Sequence, residues 1–142
     1  MQIKELSVDI ETYCDVDLRK TGVYRYAEDE SFEILLLAVS INNAPVIVYD
    51  LTKDKLPNLI LQALLDDTVI KWAFNATFER ICLSNWIKKH YPTLLNENFL
   101  SPNSWRCSMI WSAYLGLPLS LEGVGTILKL SEQKLKVGSE LI

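Results

Sequence analysis

Two acidic residues on the first predicted strand are the first candidates for chemistry. The segment "LSVDIETY", residues 6–13, alternates apolar and polar side chains. This period of two is typical of a β-strand with one apolar face. Asp9 and Glu11 both lie on the other face, with their Cα atoms expected roughly 7 Å apart. Like charges so close repel each other unless a cation lies between them, so we predict that a divalent cation binds between Asp9 and Glu11.

A third carboxylate, Glu79, belongs to a predicted helix over residues 75–90, for which Asn75 is a candidate N-cap. At about 100° per residue, Glu79 falls inside the apolar arc of this helix. The arc contains Phe78, Cys82, Leu83, Trp86 and Ile87, whereas Arg80, Ser84 and Lys88 form the polar face. A charge in such a position is costly unless it is paired or coordinates something. We therefore expect Glu79 to face a cleft beside the first strand and to share a site with Asp9 and Glu11.

The ordinary alternative is that each carboxylate is half exposed and paired with a basic residue, such as Arg80 or Arg106. If the three carboxylates do bind metal, they must do so without other ligand types. The chain has one histidine, His90, near a predicted helix end, and three widely spaced cysteines (Cys14, Cys82 and Cys107). Carboxylate oxygens suit hard cations such as Mg²⁺ or Mn²⁺, and two such ions can promote phosphodiester hydrolysis.

Length and composition indicate an ordinary globular protein. The chain has 142 residues, of which 49% are apolar and 23% are charged, so we expect a single domain over residues 1–142. It contains no apolar run of the length that a membrane span needs, and no secretory signal pattern is apparent. The net charge of −4 weighs against a nucleic-acid-binding protein with a large basic face, but not against a nuclease with an acidic metal site.

The order of predicted elements indicates an α/β fold with a mixed sheet. Further strands are predicted over residues 33–41, 44–50 and 68–74, and helices over 55–67, 75–90, 104–115 and 120–129. Asn42 and Asn43 predict a tight hairpin turn, which makes the second and third strands antiparallel neighbours. The first strand and the strand over 68–74 are expected at the centre of the sheet. Residues 12–32 are interpreted as a connection, and Ser120 as the N-cap of the last helix.

Two short segments resemble motifs of a known enzyme superfamily. "VDIET" followed by "FNATFE" resembles the first two motifs of the DEDD 3′–5′ exonucleases, which have a ribonuclease H-like fold. Longer stretches, including "WAFNATFERICL" and "LPLSLEGVGTILKLSEQKLKVGSELI", resemble the N-terminal proofreading domain of bacteriophage-type family A DNA polymerases. The resemblance extends over nearly the whole chain. It implies a magnesium-dependent hydrolase of DNA that uses two Mg²⁺ or Mn²⁺ ions.

The resemblance assigns the catalytic, metal-binding carboxylates to Asp9 and Glu11 from the first motif and to Glu79 from the second. Glu79 occupies a position where the superfamily usually has Asp, and one extra methylene could be absorbed by a shift of the helix or by coordination through water.

Four neighbouring residues are implied in substrate binding. Ile10 and Thr12 would contact the terminal base and sugar, Asn75 the 3′ nucleotide, and Phe78 the terminal base. Each has an ordinary alternative: core packing for Ile10 and Phe78, a strand end for Thr12, and helix capping for Asn75.

One expected motif is missing. The family carries a fourth carboxylate, an Asp in a late helix preceded by a Tyr or His that orients the attacking water. Tyr114 has Pro118 four residues further on, so it does not match. The resemblance therefore predicts an N-terminal fragment whose fold is incomplete at the C-terminus. The alternative function is a catalytically incomplete nucleic-acid-binding or structural domain of the same fold.

The resemblance also implies partners and a location. The expected partners are the 3′ end of single-stranded DNA and the remainder of a DNA polymerase chain, with no membrane. The protein would be encoded by a phage or prophage and act in the cytoplasm of the bacterial host.

Overall fold

The structure, a computed structural model, describes residues 2–134; Met1 and residues 135–142 of the predicted domain lie outside the described range. Its strands are β1 (Glu5–Tyr13), β2 (Glu33–Ile41), β3 (Ile47–Asp50), β4 (Ile70–Ala73) and β5 (Trp105–Cys107). Its α-helices are α1 (Leu18–Thr21), α2 (Val23–Glu28), α3 (Asn58–Leu65), α4 (Ala76–His90), α5 (Ser108–Tyr114) and α6 (Leu121–Ile127). A 3₁₀ turn over Pro102–Ser104 precedes β5. None of the helices in this described part is long and apolar enough to cross a membrane.

The five strands form one mixed sheet in the order β3-β2-β1-β4-β5. The central strand, β1, pairs antiparallel with β2 and parallel with β4. β2 pairs antiparallel with β3, and β4 pairs parallel with β5. The predicted fold class, an α/β mixed sheet with an antiparallel hairpin and flanking helices, is therefore confirmed.

The turn between β2 and β3 is built from two asparagines in the left-handed conformation. Asn42 and Asn43 have φ angles of 49° and 63°, which asparagine tolerates better than most residues. The Asn42 side chain also reaches the start of β1. Its Oδ1 accepts hydrogen bonds from the backbone N–H groups of Lys4 (2.8 Å) and Glu5 (3.1 Å). The predicted turn is thus confirmed, and it helps to fix the start of the central strand.

The pairing of β1 with β2 contains a β-bulge near the carboxyl end of β1. Glu11 lies opposite Leu36 and Thr12 lies opposite Ile34, so Leu35 is an extra residue on β2. Bulges increase the local twist of a sheet and change the direction of the side chains beside them. The bulge therefore affects the end of β1, immediately after the two acidic residues.

The main core lies between the sheet and the helices α3 and α4. Leu6, Val8 and Ile10 of β1 belong to the same buried cluster as Ile60 of α3 and Leu83 of α4. Because these three β1 residues alternate with polar ones, β1 contributes one face to the core and leaves the other for polar side chains.

Two segments differ from the sequence-based prediction. Residues 12–32 are more than a connection, since β1 continues to Tyr13 and is followed by α1 and α2. These helices have four and six residues, which is too short for a helical period to be recognised. The helix predicted over residues 104–115 begins only at Ser108, because Trp105–Cys107 form β5 beside β4. This pairing joins distant parts of the chain, and no local pattern reports it.

The predicted polar face of α4 is also partly wrong. Ser84 is fully buried, because the loop after α4 returns over this side of the helix. The Ser84 hydroxyl donates a hydrogen bond to the carbonyl of Arg80 (2.6 Å) and accepts one from the backbone N–H of Leu100 (2.9 Å). Ser84 therefore connects the helix to the loop that covers it.

We predict that Ser84→Ala lowers the free energy of unfolding by about 1 to 3 kcal/mol, because it leaves the Leu100 N–H buried without an acceptor. Urea denaturation would measure this change. The matched control is Ser112→Ala, since the buried Ser112 hydroxyl donates to the carbonyl of Ser108 and no backbone N–H of residues 2–134 donates to it. Equal losses of unfolding free energy in the two variants would contradict the conclusion that the hydrogen bond from the Leu100 N–H accounts for the effect of Ser84→Ala.

Candidate metal centre

The central strand β1 divides its side chains between the core and the candidate site. Leu6, Val8 and Ile10 are at most 6% exposed. Asp9 and Glu11 alternate with them and lie on the opposite, exposed face. The predicted placement of the two carboxylates on one face of the strand is therefore confirmed.

The third carboxylate reaches the site through the connection between β4 and α4. Ser7 pairs with Trp72, so β4 ends close to the level of Asp9, in the middle of β1. Asn75 precedes α4, and Glu79 lies in the first turn of this helix. Because β4 is the direct neighbour of β1, this first turn begins beside β1. The parallel pairing thus brings Glu79 towards Asp9 although the two residues are far apart in sequence.

Glu79 is buried and incompletely satisfied. The residue is 5% exposed, and within the described part of the chain its Oε2 atom has no hydrogen-bond partner. Burial raises the pKa of Glu79 to about 8, and the negative charge of Asp9 acts in the same direction. The expected orientation of Glu79 away from bulk solvent is confirmed, and the negative charge of Asp9 lies close enough to act on this carboxyl group.

The arginines that could pair with the three carboxylates in a simple ion-pair arrangement bind backbone carbonyls instead. Arg80 donates to the carbonyl of Leu100 (2.9 Å), and Arg106 donates to the carbonyls of Asn103 and Trp105. The ion pairs between described residues involve Asp50 and Glu33 as the acids. No side-chain ion pair within residues 2–134 therefore neutralises Asp9, Glu11 or Glu79.

Asp9 also lies in an unfavourable environment for a negative charge. Much of the residue is accessible to solvent, but its carboxyl group is partly desolvated, and this desolvation raises its pKa. The backbone N–H of Ile10 and the positive charge of Lys134 act in the opposite direction without cancelling the effect. Lys134 follows α6, so the chain after this helix passes close enough to Asp9 for the charges to interact.

The donor set of this pair fits a hard divalent cation. Asp9 and Glu79 offer carboxylate oxygens, one of which is buried without a partner, and such oxygens are the ligands that Mg²⁺ and Mn²⁺ prefer. The arrangement is not a complete metal site. Among residues 2–134, no group of three or more His, Cys, Asp or Glu side chains is placed so that it could hold a metal ion. Asp9 and Glu79 are thus brought together, whereas Glu11 shares the strand face without completing a three-carboxylate cluster.

The four residues implied in substrate binding lie in different environments. Ile10 is 6% exposed and belongs to the core, as its ordinary alternative requires. Thr12 forms a hydrogen bond with the hydroxyl of Tyr26 (2.8 Å). Asn75 is exposed at the N-cap position of α4, but its side chain forms no capping hydrogen bond. Phe78 is partly buried against the core.

One residue of this region was missed by the sequence analysis. Tyr26 lies on α2 within the stretch interpreted as a connection, yet its side chain contacts both Thr12 of β1 and Phe78 of α4. No local pattern predicts this role, since α2 is too short to show a period and both contacts depend on the tertiary fold.

Comparison with solved structures identifies a protein with a similar fold. The chain is similar in structure to Brucella melitensis NrnC, with a TM-score of 0.60 and 17% sequence identity, over 95% of this chain and 57% of that one. A structure of the same Brucella protein with bound Mg²⁺ gives a TM-score of 0.59 and 16% identity, over 99% of this chain and 61% of that one. At this level of identity the likeness concerns the fold.

Comparison with curated sequences gives a more specific relative. The chain is 47% identical over 141 residues, 99% of its length, to the DNA polymerase of Bacillus phage SP02. The resemblance to bacteriophage DNA polymerases is therefore confirmed. The chain spans 20% of the length of that polymerase. No protein-family model matches the chain.

We predict that the metal-free protein loses stability as the pH rises, and that Glu79→Gln removes much of this loss. The folded-state pKa of Glu79 is about 8, above the ordinary value of about 4.3. Between these values the folded state binds more protons than the unfolded state, so stability is full below the lower value and falls as the pH rises through the upper one.

The measurement is urea denaturation in EDTA from pH 5 to pH 9. By pH 9 the Gln variant should be more stable than the wild type, by an amount on the order of 3 kcal/mol, whereas at pH 5 the difference should be only about 1 kcal/mol. Glu97→Gln, in an exposed loop, is the matched control and should follow the wild type. Parallel curves for wild type and Glu79→Gln would contradict the prediction.

Proposed function

We propose that this chain is a metal-dependent 3′–5′ exonuclease domain of a phage-type DNA polymerase, which hydrolyses the terminal phosphodiester bonds of DNA during proofreading. The observation that carries the proposal is the buried, unpartnered carboxylate of Glu79 beside Asp9. The 47% identity to a phage DNA polymerase supports the same class of function.

The proposed site has a simple division of roles. Asp9 and Glu79 hold a cation between the middle of β1 and the start of α4, and Glu11, which shares the strand face of Asp9, joins the ligand set only if its side chain moves towards this pair. Divalent cations bound there would activate water and stabilise the leaving oxygen of the phosphodiester. A nearby cation also removes the electrostatic cost of ionising Glu79, because it favours the charged form of the carboxyl group.

The substrate would approach along the open face of β1. Thr12 lies near the carboxyl end of β1 and Asn75 lies directly before α4, and both are accessible at least in part. Ile10 and Phe78 would support the terminal base from the core side. The natural partners are then the 3′ end of single-stranded DNA and the remaining parts of a polymerase, in the cytoplasm of the bacterial host.

A second function has its own supporting observation. The described residues hold no three-carboxylate group able to bind a metal, and no aspartate follows Asp67 in the sequence. Residues 1–142 taken by themselves therefore offer no aspartate in a late helix for the fourth carboxylate that the resemblance implies. These facts favour a nucleic-acid-binding or structural domain that keeps the exonuclease fold without turnover by itself.

We predict that Asp9→Ala and Glu79→Gln each weaken Mn²⁺ binding by about tenfold or more, since each removes a ligand whose charge the cation requires. Isothermal titration calorimetry at pH 7.5 would measure the affinities. The matched control is Asp67→Asn, an exposed aspartate between α3 and β4, which should bind Mn²⁺ as tightly as the wild type. Unchanged affinity in Asp9→Ala would remove the proposed metal centre.

We further predict that the 142-residue chain degrades a 3′-labelled single strand very weakly or not at all in Mn²⁺. Loss of one positioned general base or orienting group typically costs about 10² to 10⁴ in rate, and the net charge of −4 does little to attract a polyanion. Rapid release of label that is absent in Asp9→Ala would contradict this prediction. It would show that another residue, such as Asp15 or Asp17, or a second copy supplies the missing ligand.

Binding distinguishes the two functions even if no turnover occurs. An exonuclease domain should bind a linear single strand with a free 3′ hydroxyl in preference to a circular strand of the same length. Equal affinity for the two DNAs would favour the nucleic-acid-binding alternative, and absence of binding to either would favour a structural role.

A further inference from the structure

We propose that Tyr26 is a positioning residue of the candidate site: its hydroxyl group directs the Thr12 hydroxyl as a hydrogen-bond donor towards a sugar–phosphate oxygen of the 3′-terminal nucleotide. This inference rests on the proposed function and adds to it a residue that neither the sequence motifs nor the comparisons identify.

The position of Tyr26 connects the two elements that carry the candidate carboxylates. Its hydroxyl lies 2.8 Å from Oγ1 of Thr12, the residue that follows Glu11 on β1. Its ring lies 6.2 Å from the ring of Phe78, the residue before Glu79 on α4. Tyr26 thus contacts the direct sequence neighbours of two carboxylates, one on each element.

The ring of Tyr26 is held firmly. The residue is 8% exposed, and its ring packs edge-on against Phe32 with 5.6 Å between the centroids. An aromatic ring fixed by packing presents its hydroxyl in a defined direction, because only rotation of the O–H bond remains free. The hydroxyl is therefore a preorganised partner for Thr12.

The direction of the hydrogen bond follows from the donors and acceptors available. Each hydroxyl carries one hydrogen, and a buried hydroxyl hydrogen requires an acceptor. Among the described residues, Thr12 is the hydrogen-bond partner of the Tyr26 hydroxyl. Either hydroxyl could donate in this pair. We assign Tyr26 as the donor because it is the more buried residue, and the hydrogen of the more accessible Thr12 hydroxyl then remains for another acceptor.

The location of Thr12 determines the class of that acceptor. Thr12 follows the bulge at Leu35 and is partly exposed at the carboxyl end of β1, one residue beyond Glu11. A substrate phosphodiester held by the carboxylate pair would place a sugar or phosphate oxygen within reach of this end of the strand. A phosphate oxygen can only accept, so it needs the hydrogen of the Thr12 hydroxyl, and a sugar oxygen can accept this hydrogen as well.

The test measures binding of a 5′-labelled linear single strand with a free 3′ hydroxyl to the full 142-residue chain in Mn²⁺, by fluorescence anisotropy. Tyr26→Phe keeps the ring and removes the hydroxyl, and it should weaken binding about 3- to 10-fold, the effect expected for one hydrogen bond. Thr12→Val should weaken binding at least as much, whereas Thr12→Ser should bind like the wild type. Tyr24→Phe is the matched control on the same helix, since Tyr24 is 51% exposed, and it should change nothing.

A double-mutant cycle separates positioning from a structural role. If Tyr26 acts through Thr12, Tyr26→Phe should have no further effect in the Thr12→Val background. Mn²⁺ affinity should be unchanged in Tyr26→Phe, because the carboxylates are untouched, whereas a general loosening of the fold would lower it.

The outcomes keep this inference distinct from the proposed function. A wild type that prefers linear to circular DNA, combined with an unaffected Tyr26→Phe variant or with additive effects in the cycle, would overturn the role of Tyr26 alone. A wild type without preference for a 3′ end would overturn the exonuclease proposal and the role of Tyr26 with it.

Discussion

The arrangement of the candidate site depends on one electrostatic conflict, the burial of the Glu79 carboxyl group beside Asp9. A glutamate in the first turn of a helix is ordinarily favourable, because the helix dipole stabilises negative charge there. Here desolvation and the neighbouring carboxylate outweigh that benefit, as the pKa of about 8 shows. Such a group weakens the folded state near neutral pH unless a cation or proton accompanies it. Local costs of this kind are characteristic of functional sites, which are often less stable than the scaffold around them.

The central strand β1 is the scaffold that holds Asp9 close to Glu79. β1 pairs with β2 from Leu6 to Tyr13 and with β4 from Glu5 to Ser7, so the backbone at Asp9 is held by β2 on one edge and by the β4 pairing just before it on the other. Leu6, Val8 and Ile10 pack its inner face into the hydrophobic core. The positions of Asp9 and Glu11 on β1 are therefore fixed by the sheet, whereas the hydroxyl of Thr12, just beyond the bulge, depends on a side chain from another element.

The sequence predicts the parts of this arrangement that depend on local periodicity. The alternation in residues 6–13 correctly predicts that Asp9 and Glu11 lie on one strand face. The helical period of residues 75–90 correctly predicts that Glu79 faces away from solvent. The same helical period wrongly predicts that Ser84 is exposed, because a loop that covers a helix leaves no periodic signal in the sequence of that helix. β5 and the contacts of Tyr26 were missed for a related reason, since both depend on pairing between distant segments. The absence of a complete three-carboxylate metal site among residues 2–134 could not be predicted either, because spacing rules specify the face of an element and not the distances between side chains.

The parallel pairing of β1 with β4 has a consequence for the order in which the molecule folds. This pairing joins residues 5–7 to residues 70–72, whereas the pairing of β2 with β3 closes through the short turn at Asn42 and Asn43. Closing a long loop costs more chain entropy than closing a short one, so parallel contacts between distant segments form slowly. Asp9 and Glu79 become neighbours only when that long closure is complete. A cation could consequently bind this pair only in the fully folded chain and not in an intermediate that contains only the early hairpin. Once bound, it would slow unfolding by opposing the separation of β1 from β4.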